Sequence, residues 1–84
     1  MKKILIAVDN DFARETYSQV FKEKNFEVFA EKDGKKAFDL AKKEKPDVIL
    51  ADVALSKMSG FELLQGLRKE KSCEKISVII FSQL

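Results

Sequence analysis

Two aspartates each follow a run of apolar residues, and they are the clearest chemical signal in the chain. Asp9 comes directly after residues 4–8, and Asp52 ends the stretch V-I-L-A-D at residues 48–52. A buried, unpaired carboxylate is costly in free energy. Each acid therefore either has a structural partner or lies at a strand end where a negative charge is needed.

The other residue types restrict what chemistry these acids can do. The chain contains no histidine and one cysteine, Cys73, which excludes a Cys/His metal site and an internal disulfide. Clustered carboxylates without His or Cys select a hard cation with oxygen ligands, and Mg²⁺ is the natural candidate. A pair of converging acids would therefore favour a magnesium site.

Some of the acids also have a structural alternative. Asp9 and Asp11 precede a helical pattern and can both cap that helix, where carboxylates interact favourably with the N-terminal dipole. We favour the capping role for Asp11. Capping does not account for Asp52, because no helix is predicted directly after it.

Four apolar runs, separated by helical patterns, are predicted to position these acids. The predicted strands cover residues 4–8, 26–30, 48–52 and 76–81. Strands that alternate with helices predict a parallel sheet with helices on both faces. Ligands bind such sheets beyond the carboxyl ends of the strands, where the strand order reverses. Asp9 and Asp52 converge there if the first and third strands are neighbours.

The helices are predicted from apolar residues at helical spacing and from end signals. Ser59 and Glu62 match a capping box at the start of the third helix, and Pro46 ends the second. Cys73 is placed in a polar connector before the last strand. The apolar stripes are Ala13, Tyr17, Val20 and Phe21; Ala37, Phe38, Leu40 and Ala41; and Phe61, Leu64 and Leu67.

Length and charge narrow the class of protein. The 84 residues allow one domain, with 45% hydrophobic and 36% charged residues. The formal charge of +2 and the lack of an aromatic-studded basic patch argue against binding nucleic acid directly. The apolar run near the N-terminus is too short for a signal peptide, and no run is long enough to span a membrane. We therefore expect a cytoplasmic protein.

Five motifs, in order along the chain, resemble the receiver domain of two-component response regulators. They are I-L-I-A-V-D-N-D at residues 4–11, D-G at 33–34, P-D-V-I-L-A-D at 46–52, M-S-G at 58–60 and V-I-I-F-S at 78–82. The resemblance covers residues 1–84 and implies a flavodoxin-like sheet with strand order 2-1-3-4.

The resemblance also implies a phosphoryl relay with a defined set of residues. Asp52 would take a phosphoryl group from a histidine kinase or phosphotransfer protein, and would catalyse its own phosphorylation and dephosphorylation. Mg²⁺ would be held by Asp52, Asp9, Asn10 at the position of the family's second acid, and the main-chain carbonyl of Ala54. Ser82 falls on the hydroxyl residue that contacts the phosphoryl group, with an ordinary strand-end hydroxyl as the alternative.

The chain departs from the family pattern in several places. Asn10 replaces a carboxylate, so the site loses one negative charge. Ser56 replaces the usual proline and Ser59 a frequent aspartate, which is expected to loosen the loop. Gln83 replaces a small residue and is expected to slow phosphoryl arrival and hydrolysis.

The family's fifth strand, with its lysine, and its last helices have no counterpart before Leu84. The receiver domain is therefore expected to be incomplete at its C-terminus. Its fourth strand or the uncovered sheet face would then invite self-association.

Three interpretations follow from these features. The first, which we favour, is a phosphoacceptor receiver domain that signals by conformational change. The second is a phosphorylation-independent pseudo-receiver that acts as a protein-interaction module. The third is a truncated or engineered fragment.

Overall fold

The computed structural model describes residues 1–82, which form a four-stranded parallel sheet with helices on both faces. The elements are β1 (Lys3–Ala7), α1 (Asp11–Glu23), β2 (Glu27–Glu31), α2 (Gly34–Glu44), β3 (Val48–Asp52), α3 (Gly60–Lys69), a 3₁₀ turn (Lys71–Cys73) and β4 (Ser77–Phe81). The strand order is β2-β1-β3-β4. The predicted flavodoxin-like fold and its strand order are confirmed.

Side chains that alternate along the strands divide the core between the two faces of the sheet. Leu5, Ala7, Ile49 and Ala51 are buried together with residues of α2 and α3. On the opposite face, Ile4, Ile6 and Val8 form a second buried cluster, packed against residues of α1. The strands β1 and β3 are the centre of the sheet, since each pairs with a strand on both sides, and both contribute side chains to the buried core.

The face that packs against α1 is only partly covered on the β4 side. Leu50 is half-buried, and its neighbour across the sheet, Ile79, remains 55% exposed. Among the described residues, α1 is the one helix that packs on this face. Self-association through β4 or this face stays a prediction. No helix within residues 1–82 is both long and apolar enough to span a membrane.

The buried stripes of two helices differ from the predicted ones. In α3, Leu63 and Leu67 are fully buried, whereas Phe61 is 60% exposed. The capping box is present and begins the helix at Gly60, whose missing side chain lets this turn approach the sheet. The buried face therefore runs through residues 60, 63 and 67. In α1, Val20 is 40% exposed because the face toward the sheet runs through residues 13, 17 and 21.

The connector before β4 is more ordered than its polar sequence indicates. Cys73 is fully buried, with its Sγ atom 3.9 Å from the carbonyl oxygen of Ala41. The guanidinium of Arg68 donates hydrogen bonds to the carbonyls of Cys73, Glu74 and Ile76. These bonds fix the approach to β4 and thus the position of the residues at its far end.

Candidate functional site

A cleft of about 280 Å³ lies at the carboxyl ends of β1, β3 and β4. Its lining consists of Asp9, Asn10, Asp52, Val53, Ala54 and Ser82. The cleft forms there because β1 and β4 both pair in parallel with β3, so the three strands end at the same edge. The structure therefore brings together all five residues that the sequence singled out.

Asp52 is nearly enclosed but lines the cleft. Its residue is 4% exposed, and its Oδ1 atom accepts a hydrogen bond of 3.2 Å from the amide of Ala54. The next residue, Val53, is held on both sides: its amide donates to the carbonyl of Phe81, and its carbonyl accepts from the amide of Gly60. The carboxylate is thus presented from a rigid main chain.

Gly60 supports the position of Asp52, a role that the sequence did not indicate beyond its place in the M-S-G motif. A Cβ atom at this position would lie 2.5 Å from the carbonyl oxygen of Asp52, which is too close for any side chain. The start of α3 can therefore pack directly behind Asp52. The sequence feature that could have identified this residue is the glycine of the M-S-G motif. Glycine is needed there for its small size and not for an unusual backbone conformation, because no glycine in the described chain has a positive φ.

Asn10 has a structural task that restricts its chemistry. It is the N-cap of α1, and its Oδ1 atom accepts a 2.8 Å hydrogen bond from the amide of Ala13. Only the oxygen of an amide side chain can ligate a cation, since its NH₂ group is a donor. One lone pair of the atom that would serve the metal is therefore already engaged, which leaves a single neutral lone pair for a cation. The capping residue is therefore Asn10 and neither Asp9 nor Asp11, although Asp11 lies in the first turn of α1, where a negative charge interacts favourably with the helix dipole.

Asp11 forms an ion pair outside the cleft. Its Oδ1 atom accepts a 2.6 Å hydrogen bond from Nη2 of Arg14. This hydrogen bond and the charge of Arg14, with a smaller effect from the charge of Lys32, hold the pKa of Asp11 below its usual value. Arg14 also donates to the main chain beside Asp9, a role that no sequence pattern indicated.

The loop between β3 and α3 is tightly anchored, although Ser56 replaces the usual proline. The carbonyl of Ser56 accepts hydrogen bonds from the amides of Gly34 and Met58, both at 2.8 Å. The second bond closes a γ-turn whose central residue, Lys57, has φ 70°. These contacts are made by a main-chain atom and do not depend on the residue type, so the effect of serine in place of proline on the mobility of the loop stays a prediction.

The donor set of the cleft suits a hard cation but carries little charge. Within residues 1–82, no group of three or more His, Cys, Asp and Glu side chains is placed to hold a metal ion. The available donors are the carboxylates of Asp9 and Asp52, supplemented by an amide and main-chain carbonyls. Such oxygens, with water in the remaining positions, fit Mg²⁺.

Gln83, the other predicted departure beside the site, lies outside the described residues.

Comparison with known proteins gives a consistent result. Residues 4–84 match the family model described as response regulator receiver domain. The polar-differentiation response regulator DivK of Brucella anthropi is 30% identical over 78 residues, which is 93% of this chain and 63% of the relative. The chain thus spans somewhat less than two thirds of the length of that curated relative.

Solved structures show the same fold. The chemotaxis response regulator CheY4 of Vibrio cholerae aligns with a TM-score of 0.90 and 29% identity, over 95% of this chain and 67% of that one. The receiver domain of a sensor histidine kinase from Pseudomonas aeruginosa aligns with a TM-score of 0.89 and 22% identity, over 94% and 65%. That structure has a magnesium ion coordinated in its active-site cleft.

Proposed function

The chain belongs to the response regulator receiver domain family, and on this premise we propose that Asp52 accepts a phosphoryl group from a histidine kinase or phosphotransfer protein. The observation that carries the proposal is the placement of Asp52, which is 4% exposed yet lines a cleft with Asp9, Ala54 and Ser82. A carboxylate in that position is shielded from bulk water but reachable by a donor. The proposal places the chain in the cytoplasm, as part of two-component signalling.

The transfer is a displacement at phosphorus by a carboxylate oxygen. A carboxylate oxygen of Asp52 attacks the phosphorus of a phosphohistidine, so that an O–P bond forms and the N–P bond breaks. The leaving imidazole nitrogen retains the electron pair and takes up a proton. Ser82 at the end of β4 can donate its hydroxyl hydrogen to a phosphoryl oxygen across the cleft. Attack of water on the phosphorus breaks the O–P bond again, which releases inorganic phosphate and returns the free carboxylate.

Magnesium would be held by Asp9 and Asp52, with the carbonyl of Ala54 and the amide oxygen of Asn10 as further donors. When bound, the cation supplies positive charge that offsets the repulsion between carboxylate and phosphate. The magnesium-containing relative with the same fold supports this assignment. The protein contributes the fixed position of Asp52 and the partial exclusion of water.

The proposal is tested by incubating the chain with acetyl phosphate and Mg²⁺. We expect one added phosphoryl group by intact-mass spectrometry, no addition when the metal is chelated, and fragment ions that place the group on Asp52. The proposal would be contradicted if magnesium binds but the mass never changes.

The phosphorylation-independent pseudo-receiver is the second candidate. It is favoured by Asn10, whose oxygen already caps α1 and brings no negative charge to the cleft. In that case, the cleft has two carboxylates and no committed third ligand. A chain that binds magnesium weakly and resists acetyl phosphate would support this candidate.

The Asn10→Asp variant is expected to bind Mg²⁺ about tenfold more tightly, which corresponds to about 1.4 kcal/mol. Aspartate preserves the cap of α1, because one oxygen can still accept from Ala13, and it adds a charged oxygen for the metal. Asn10→Ser is the matched control, since serine also caps helices but adds no charge. Isothermal titration calorimetry measures both affinities, and equal affinity in wild type and Asn10→Asp would show that residue 10 does not face the metal.

A further inference from the structure

Arg14 makes an unusual set of contacts at the start of α1. Its Nη1 atom donates to two consecutive carbonyls, those of Val8 at 2.9 Å and Asp9 at 3.2 Å. Its Nη2 atom donates to the carboxylate of Asp11 at 2.6 Å. The side chain is 21% exposed, so most of it is packed against the protein. One guanidinium thus binds three of the four residues between positions 8 and 11, in the segment that leads from β1 into α1. Asn10 is the residue that it does not contact through a hydrogen bond.

The direction of the Asp9 side chain depends on this main chain. Among residues 1–82, no hydrogen bond is donated to the Asp9 carboxylate, and the residue is exposed. The place of Asp9 in the lining of the cleft therefore depends on the peptide units around it. The amide of Val8 is held by the carbonyl of Glu31, and Arg14 holds the two carbonyls that follow.

Geometry, more than charge, distinguishes this arginine. Asp11 compensates its positive charge at close range. The planar, rigid guanidinium can bond to several acceptors at once, whereas a lysine ammonium is a single point on a flexible stem. Replacing arginine by lysine at this position therefore removes the bridging contacts and leaves the formal charge unchanged.

We propose that Arg14 is a positioning residue, which fixes the main chain of Val8 and Asp9 so that the Asp9 carboxylate stays directed into the cleft. Its effect on magnesium rests on the proposed function, but its effect on the main chain does not. The same contacts engage Asp11 in an ion pair and keep it apart from the cleft.

The Arg14→Lys variant tests this role in two measurements. NMR relaxation of the backbone amides, recorded without metal, is expected to show increased motion of residues 9–11 relative to wild type. Calorimetric titration with Mg²⁺ is expected to show about tenfold weaker binding. This is the lower end of the losses in metal affinity found when a residue that holds a metal ligand in place is replaced. The extent of phosphorylation by acetyl phosphate at saturating Mg²⁺ is expected to change much less.

Arg68→Lys is the matched control. Arg68 also donates to three main-chain carbonyls, those of Cys73, Glu74 and Ile76, but it does so before β4, at the sheet edge away from the cleft. Its replacement is expected to lower thermal stability to a similar degree, with no effect on the amides of residues 9–11 or on magnesium affinity.

The two measurements separate the possible failures. Unchanged motion of residues 9–11 in Arg14→Lys would overturn the positioning role, whether or not the wild-type chain binds magnesium. Equal losses of magnesium affinity in Arg14→Lys and Arg68→Lys would also overturn it, because the effect would then be general destabilisation. Increased motion in Arg14→Lys, together with no magnesium binding by the wild type, would support the positioning role and reject the metal part of the proposed function.

Discussion

Replacing Asp52 with asparagine is expected to abolish phosphoryl uptake from acetyl phosphate. The amide lacks the anionic oxygen that attacks phosphorus, and the cleft contains no second carboxylate held in the same way. Asp52 is 4% exposed and its Oδ1 atom accepts from the Ala54 amide, whereas Asp9 is exposed and follows a different strand. Intact-mass spectrometry of wild type and Asp52→Asn, with the same donor and magnesium concentrations, measures the loss.

The asparagine variant should fold normally, because an amide oxygen can still accept the hydrogen bond from Ala54. Asp11→Asn is the matched control: it makes the same chemical change in an acid that is paired with Arg14 outside the cleft. We expect this control to take up one phosphoryl group like the wild type. Phosphorylation that persists in Asp52→Asn would reject Asp52 as the acceptor.

Replacing Gly34 with alanine is expected to lower the free energy of unfolding by about 3 kcal/mol, at the upper end of typical overpacking costs. A Cβ atom at this position would lie 2.0 Å from the carbonyl oxygen of Met58. The obstacle is main chain in the loop beside Asp52, so no rotamer change can relieve the clash. The loop or the start of α2 must move, and the hydrogen bond from the Gly34 amide to Ser56 is expected to be lost. Urea unfolding followed by circular dichroism measures the loss.

Gly66→Ala is the control for this prediction. Gly66 lies inside α3, and a Cβ atom there would lie 3.0 Å from a ring carbon of the Phe38 side chain, a tight contact that a shift of the ring by a few tenths of an ångström relieves. Alanine stabilises a helix interior by about 1 kcal/mol relative to glycine, which offsets a small shift of the ring. We therefore expect a change close to zero. Similar losses in both variants would show that the close approach at Gly34 is not the cause.

The two glycines of the site, Gly34 and Gly60, connect the loop beside Asp52 to two helices. Gly34 at the start of α2 contacts Met58, and Gly60 at the start of α3 contacts the carbonyl of Asp52. A displacement of the Asp52 main chain would therefore also displace the start of α3. A displacement of the loop between β3 and α3 would displace the start of α2. Under the proposed phosphorylation of Asp52, this packing connects the modified residue to the starts of α2 and α3.

The parallel sheet and the two acids at the ends of its strands could be predicted from the sequence alone. Continuous apolar runs such as residues 48–52 identify buried parallel strands, and the helices between them require parallel crossovers. The strand order itself came from the family resemblance. Once β1 and β3 are neighbours, Asp9 and Asp52 must lie at the same edge, because parallel strands end together. The capping box of α3 is equally local, since Ser59 and Glu62 satisfy each other's main-chain amides.

Only the tertiary structure decided how the remaining side chains are used. Phe61 and Leu63 are both apolar, and the buried one is set by the angle at which α3 meets the sheet, which depends on the close contact of Gly60 with Asp52. Cys73 is buried because the 3₁₀ turn brings it against α2, a contact between residues far apart in sequence. Asn10 and Arg14 show the same limit at the site itself. A sequence gives the donors and acceptors of these side chains, but which partner each one binds depends on the distances that the packed sheet and helices impose.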